Sequence, residues 1–250
     1  LKEGDRVYVT GLRDRTSTGA YAEKAVCGAA SAFPLPEGVS FGEGAALGIP
    51  ALTAHRALFQ RGRLKPGETV LVHGASGAVG HLAVQMAAAF GARVIGTAGT
   101  PEGKDLVLRA GAQSAADHAT EDDLRAITDL IGGRGPDLII EFLANRNLAL
   151  DLRLVAKYGR VVVVGNRGSL DFNPRLTMAK EADVLGTAIW NYPDDEYLQS
   201  AAFVAEAVRS GALRPHVGAS FPLREARAAH EGLLSKAGSG MTVLRMDAGR

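Results

Sequence analysis

Between residues 69 and 90 an apolar, β-branched run, Val70-Leu71-Val72, breaks into three glycines, Gly74, Gly77 and Gly80, before an apolar helical pattern starts at His81-Leu82-Ala83-Val84. A chain of this kind turns sharply out of a strand and straight into a helix. The first glycine permits the turn, the second permits backbone N–H groups to approach a pyrophosphate, and the third permits close packing of helix on strand. An anion seated there meets the unpaired N–H groups and the positive dipole end of the helix. The stretch predicts a dinucleotide site.

Downstream of Thr69 the pattern alternates short apolar runs with helical segments. Val70–His73, Arg93–Gly96, Ser114–Asp117, Asp137–Phe142, Arg160–Val164 and Val184–Trp190 read as strands. Strands of this kind, buried on both faces and separated by helices, imply an α/β fold with a doubly wound parallel sheet. Asp195–Ser210 reads as a long helix after the last strand. The flanks differ in style. Asp5–Val9 and Tyr21–Cys27 look like short strands of a β-rich module, and Phe41–Leu64 like an apolar helical stretch interrupted by Pro50. Pro215–Pro222, a helix at Leu223–Ser235 and a strand at Thr242–Arg245 return to the β-rich style. The expected division is 1–45 and 211–250 for one domain, with the dinucleotide-binding domain, 46–210, inserted between them.

A formal net charge of +1 gives no electrostatic reason to invoke nucleic acid or an acidic membrane surface. Cys27 is the only cysteine, so neither an intramolecular disulfide nor a cysteine-rich zinc site can form, which fits a reducing cytoplasm. No apolar run approaches a membrane span. His55, His73, His81, His216 and His230 are scattered, and no spacing among them suggests a metal.

Several segments occur in a recognisable order. They are Gly4-Asp5-Arg6-Val7, Gly19-Ala20-Tyr21-Ala22-Glu23, Gly44-Ala45-Ala46-Leu47-Gly48-Ile49-Pro50 and Thr53-Ala54-His55-Arg56-Ala57-Leu58. After these come His73–Gly80, Gly96-Thr97-Ala98-Gly99-Thr100, Val164-Gly165-Asn166-Arg167-Gly168 and Asn173-Pro174-Arg175. Together they resemble the zeta-crystallin-type quinone oxidoreductase branch of the medium-chain dehydrogenase/reductase superfamily over essentially the whole chain. The resemblance implies a Rossmann domain inserted in a GroES-like catalytic domain, zinc-free chemistry, NADPH as cofactor and a quinone or related electron-poor alkene as acceptor. It also implies a homodimer or homotetramer, with the edges of two sixth strands paired and Ile189 and Trp190 buried between them. The family's catalytic domain begins well before Gly4, so the chain is expected to be truncated at its N-terminus.

The same resemblance places Ser76, Gly77, Ala78 and Val79 at the pyrophosphate and His118 on the adenosine side. It places Asn147 and Val164-Gly165-Asn166-Arg167 in the cleft, Thr187-Ala188-Ile189 beside the nicotinamide, and Thr53 near the same ring. Relatives that use NAD carry an acid at the end of the second strand. Here Thr97-Ala98-Gly99-Thr100 offers none, leaving room for a 2′-phosphate near Gly99. Lys104 either supplies a charge to that phosphate or is a solvated helix residue. Where zinc-dependent members of the superfamily carry a catalytic cysteine, this chain has Gly48-Ile49-Pro50.

The expected reaction is hydride transfer from NADPH to a quinone. A quinone oxygen can be protonated from solvent, so no catalytic residue is assigned. Glu141 either orients a ligand or makes structural hydrogen bonds. Two alternatives stand beside this reading. One is an enoyl-thioester or enone reductase on the same fold, which would need a proton donor beside the substrate. The other is a non-catalytic NADPH-binding protein with a structural or regulatory role.

Overall fold

The structure, a computed structural model, describes residues 1–11, 19–117, 121–130, 132–235 and 238–246. At the front, β1 (Val7–Val9) pairs antiparallel with β2 (Ala32–Pro34). The strand expected at Tyr21–Cys27 is not formed. Its apolar members Tyr21 and Val26 are exposed, so the local alternation there is not matched by burial of one face. β2 supplies the pairing instead.

Helix α1 (Phe41–Ala45) begins at a reciprocal cap: Ser40 Oγ accepts from the Glu43 N–H, and Glu43 accepts from the Ser40 N–H. Helix α2 (Gly48–His55) continues into a wider helical turn over Arg56–Arg61. Pro50 does not interrupt this stretch. It sits in the first turn of α2, where its missing N–H would have had no intrahelical partner, and the break falls earlier, at Ala46-Leu47.

The central strands are β3 (Thr69–Val72), β4 (Arg93–Thr97), β5 (Ser114–Ala116), β6 (Leu138–Glu141), β7 (Arg160–Val163) and β8 (Asp183–Gly186). They form one parallel sheet in the order β5-β4-β3-β6-β7-β8. That is the doubly wound, Rossmann-type order. The connecting helices are α3 (Ala78–Ala89), α4 (Pro101–Arg109), α5 (Glu121–Leu130), α6 (Ala144–Leu154) and α7 (Arg175–Lys180). Then follow α8 (Asp194–Arg209), β9 (Val217–Pro222), α9 (Ala226–Ser235) and β10 (Met241–Arg245), which pairs parallel with β9.

Successive strand residues face opposite ways, and both faces are covered. Val70, Val72, Ile140 and Val162 pack with Leu52, Leu82, Met86 and Val204 from α2, α3 and α8. Leu71, Ile95, Ile139 and Val161 pack with Ile127, Leu152 and Val155 on the other side. This two-sided burial explains why the strands read as continuous apolar runs. Among the described residues, no helix is long and apolar enough to cross a membrane.

Candidate dinucleotide site

The strand order reverses between β3 and β6: the connection from β3 leads to β4 on one side, and that from β6 leads to β7 on the other. Open α/β sheets bind their ligands in the crevice at such a point, outside the carboxyl ends of the strands. The glycine-rich turn leaves β3 there. Gly74 adopts a φ of +52°, which makes the sharp exit. A Cβ on Gly80 would lie 2.5 Å from the Gly74 carbonyl oxygen and 2.8 Å from Ala75 Cα, so the turn and α3 touch through backbone alone. No side chain caps the start of α3, and its first-turn N–H groups remain for a ligand. Ser76, Gly77, Ala78 and Val79 are half-buried along this lip. The Gly240 N–H, just before β10, donates to the Ser76 carbonyl at 2.6 Å, which ties the turn to the far end of the chain.

At the end of β4 the buried Thr97 hydroxyl accepts from the Gly74 N–H at 3.1 Å. Gly99 is exposed, and Thr100 caps α4 by accepting from the Gly103 N–H at 3.0 Å. Lys104 is not simply solvated: its Nζ lies 3.4 Å from Asp117. His118 lies outside the described residues.

The third group of expected residues follows β6, β7 and β8. Asn147 stands in the first turn of α6. Its Nδ2 donates back to both carboxylate oxygens of Glu141, at 3.2 Å each. Asn166 Oδ1 accepts from the Asn145 N–H at 2.9 Å, and the Arg167 N–H donates to Asn145 Oδ1 at 3.1 Å, which joins the turns after β6 and β7. Val164, Gly165, Asn166, Thr187 and Ala188 line one open cavity of about 420 Å³, together with Trp190 and Asn191. Ile189 turns instead toward the main core. Thr53 spends its hydroxyl on the Ile49 carbonyl at 2.7 Å within α2, and the structure does not bring it to this cavity.

The structure also assembles a group that spacing did not reveal. His73, Glu141 and Asp151 are all buried, and one imidazole nitrogen or carboxylate oxygen from each lies within 4.8 Å of the others. His73 Nε2 is 2.9 Å from Asp151 Oδ1 and 3.7 Å from Glu141 Oε2. Burial opposes charge on the imidazole, but the Asp151 hydrogen bond and the two carboxylates together raise its pKa above the ordinary value. Burial first, and then the charge of Asp151, push the Glu141 carboxyl up to about 7. His73 stands in the glycine-rich motif itself, but nothing local marks Asp151, an acid in the middle of an amphipathic helix. Gly240 likewise carries no sequence signal linking it to Ser76.

The residues present fit a dinucleotide: a backbone lip with uncapped N–H groups, an exposed glycine instead of an acid after β4, and an open cavity after β7 and β8. They can bind and orient a cofactor's reactive ring against an acceptor, which is the protein's share of hydride chemistry.

Residues 78–206 match the family model described as "Zinc-binding dehydrogenase". The chain is 45% identical to the quinone oxidoreductase of Rattus norvegicus over 238 residues, covering 95% of this chain and 71% of that protein. It is 44% identical to the Homo sapiens quinone oxidoreductase over 242 residues, 97% of this chain and 72% of that protein. The quinone oxidoreductase of Thermus thermophilus, solved alone and with NADPH, superposes with a TM-score of 0.80 at 35% identity, covering 91% of this chain and 74% of that one. With its sheet order, its glycine-rich turn and these relatives, the chain belongs to the zeta-crystallin-type quinone oxidoreductase family of the medium-chain dehydrogenase/reductase superfamily.

Proposed function

We propose that this chain binds NADPH in the crevice at β3 and β6 and passes its hydride to a quinone without the help of zinc. Its family membership makes it an NADPH-dependent oxidoreductase. The observation that carries the binding reading is the uncapped start of α3 beneath a turn whose Gly80 admits no side chain. Bound NADPH supplies the hydride. The residues of the chain do the rest: the lip at Ser76–Val79 holds the pyrophosphate, and the region around Gly99 leaves room for a 2′-phosphate. Lys104, already paired with Asp117, shares its charge between that carboxylate and the phosphate. The cavity of Val164, Gly165, Asn166, Thr187 and Ala188 holds the nicotinamide end, and Asn147 at the start of α6 and Arg167 after β7 are assigned to the same end. Proximity and orientation in such a cleft supply much of the rate.

The zinc-free reading rests on Gly48-Ile49-Pro50 standing where zinc-dependent members carry a cysteine, and on Cys27 being the only cysteine. Assembly through the β8 edge into a homodimer is part of the same proposal, because Val184 and Trp190 are apolar and exposed there.

Titration with NADPH and with NADH, followed by cofactor fluorescence, tests the site. The expected result is saturable binding with a clear preference for NADPH. NADPH oxidation is then followed with an ortho-quinone and with an α,β-unsaturated thioester, with and without a zinc chelator. Turnover of the quinone alone, unaffected by the chelator, supports the proposal. Turnover of the thioester alone would replace quinone reduction by enone reduction, and binding without turnover of either would favour a non-catalytic role.

A further inference from the structure

His73 directly follows β3 and Glu141 ends β6, so the two stand on either side of the place where the strand order reverses. Asp151 reaches both from α6. His73 Nε2 donates to Asp151 Oδ1 at 2.9 Å, and His73 Nδ1 lies 3.5 Å from the Thr97 hydroxyl, which accepts from the Gly74 N–H. On the opposite flank, Glu141 accepts from the Leu143 N–H and from the Asn147 side-chain amide. A continuous buried chain of polar contacts therefore runs from the glycine-rich turn to the first turn of α6. One end of it is Gly74 in the glycine-rich turn, and the other is Asn147 in the first turn of α6.

The charge balance of this cluster is incomplete. Two carboxylates meet one imidazolium, and if all three are ionised, one buried negative charge has no counterpart, which is costly. Among the described residues, Asp151 Oδ2 is buried with no hydrogen-bond partner. The charged groups acting on Glu141 are Asp151 from α6 and His73 from the end of β3; the Leu143 N–H and Asn147 add neutral donors.

We propose that His73, Glu141 and Asp151 are positioning residues that hold the glycine-rich turn and the start of α6 in register for the dinucleotide, and that this cluster takes up a proton when the dinucleotide binds. The inference rests on the reading of the crevice as an NADPH site. An incoming pyrophosphate brings negative charge to one end of the network, which favours the form of the cluster with the extra proton. Linkage is reciprocal, so whatever favours the proton also favours the dinucleotide. The Glu141 carboxyl, pushed up to about 7, has that proton to exchange at neutral pH.

The test is calorimetric titration of the full chain with NADPH near pH 7.5 in buffers of different ionisation enthalpy, repeated with Glu141→Gln. Wild type is expected to take up a fraction of one proton, and its affinity to fall about fivefold, the low end of ordinary coupling between sites, as pH rises from about 6.5 to about 8.5. Glu141→Gln keeps an acceptor for the Leu143 N–H but cannot titrate. It is expected to lose that increment of uptake, leaving only what the NADPH phosphate itself contributes, and to show a flatter affinity profile. Equal uptake by both proteins overturns the inference. If the variant does not fold, wild type is titrated with NADH, which carries no 2′-phosphate: proton uptake there supports the inference, and binding without uptake overturns it. A stoichiometric divalent metal found in the purified protein would also overturn it, by supplying the missing positive charge. Absence of any NADPH binding overturns the functional reading along with this one, whereas binding with no proton exchange removes only this one.

Discussion

The backbone N–H of Gly240 donates to the carbonyl of Ser76 at 2.6 Å, although the two are 164 positions apart in the chain, so the segment before β10 closes the glycine-rich turn. Gly77 and Gly240 also form an isolated parallel bridge. Gly240 has a φ of +76°, and a Cβ there would lie 2.5 Å from both Cδ2 and the carbonyl oxygen of His216. Gly240→Ala is therefore expected to displace this segment and release Ser76. The strain is worth about 1–3 kcal/mol. If it is expressed at the site, NADPH binding weakens by about tenfold, the equivalent of ~1.4 kcal/mol. Fluorescence titration checks the affinity and thermal unfolding the strain; unchanged values in both would remove any role for the closure.

Arg160 opens β7 and grips Glu68 through two parallel bonds, Nη1 to Oε1 at 3.0 Å and Nη2 to Oε2 at 2.6 Å, while its Nε donates to the Gly62 carbonyl at 2.7 Å. Arg160→Met leaves the carboxylate without its partner in a largely buried place. Breaking a buried pair by removing one member costs about 3–5 kcal/mol. Chemical denaturation measures this, and a loss below ~1 kcal/mol, the range of a surface pair, would mean that water replaces the guanidinium. Burial alone would raise the Glu68 carboxyl, but Arg160 and the Lys65 N–H hold it below its ordinary value of 4.5. A depressed carboxyl stabilises the fold above its unfolded pKa. That contribution is lost as pH falls below 4.5 toward the folded value.

His55 works in the opposite chemical sense. It lies between the rings of Phe59 and Phe203, with Nδ1 2.7 Å from the Ser200 hydroxyl, and burial lowers its pKa to about 4 from 6.5. The folded chain keeps it neutral while the unfolded chain protonates it. Stability is therefore lost as pH falls from 6.5 to about 4. His81, lowered to about 4 by burial and by His216, adds to the same slope. His55→Gln is expected to flatten the dependence of the unfolding temperature on pH in this window. An unchanged slope would show that the ring is reached by solvent in the native state.

Among the described residues no strand pairs with the outer edge of β8, where the Arg61 side chain donates to the Gly186 carbonyl; Val184 on that strand is 40% exposed and Trp190, in the turn beyond it, is 79% exposed. An open apolar edge is a template for another strand, and a lysine on it is a usual deterrent. Val184→Lys is expected to convert a homodimer to a monomer in sedimentation, with NADPH binding retained. A wild-type chain already monomeric at all concentrations would sink the assembly proposal.

The sheet was legible in the sequence because strands buried on both faces must be apolar at nearly every position. Val70-Leu71-Val72, Leu138-Ile139-Ile140 and Val161-Val162 stand out for that reason. The glycine-rich turn was legible because its requirements are local: a sharp exit at Gly74 and backbone contact at Gly80 constrain residues only a few positions apart. Local pattern misled where pairing decides. Tyr21–Cys27 alternates like a strand yet pairs with no described strand, and Pro50 reads as a break yet occupies the one helical turn that tolerates it. Tertiary structure alone brought His73, Glu141 and Asp151 together and tied Gly240 to Ser76. Contacts between residues so far apart in the chain impose no periodicity on either partner, so what the sequence by itself determined was the succession of elements in the central sheet and its glycine-rich turn, and what the folded chain decided was which buried charges meet beneath it.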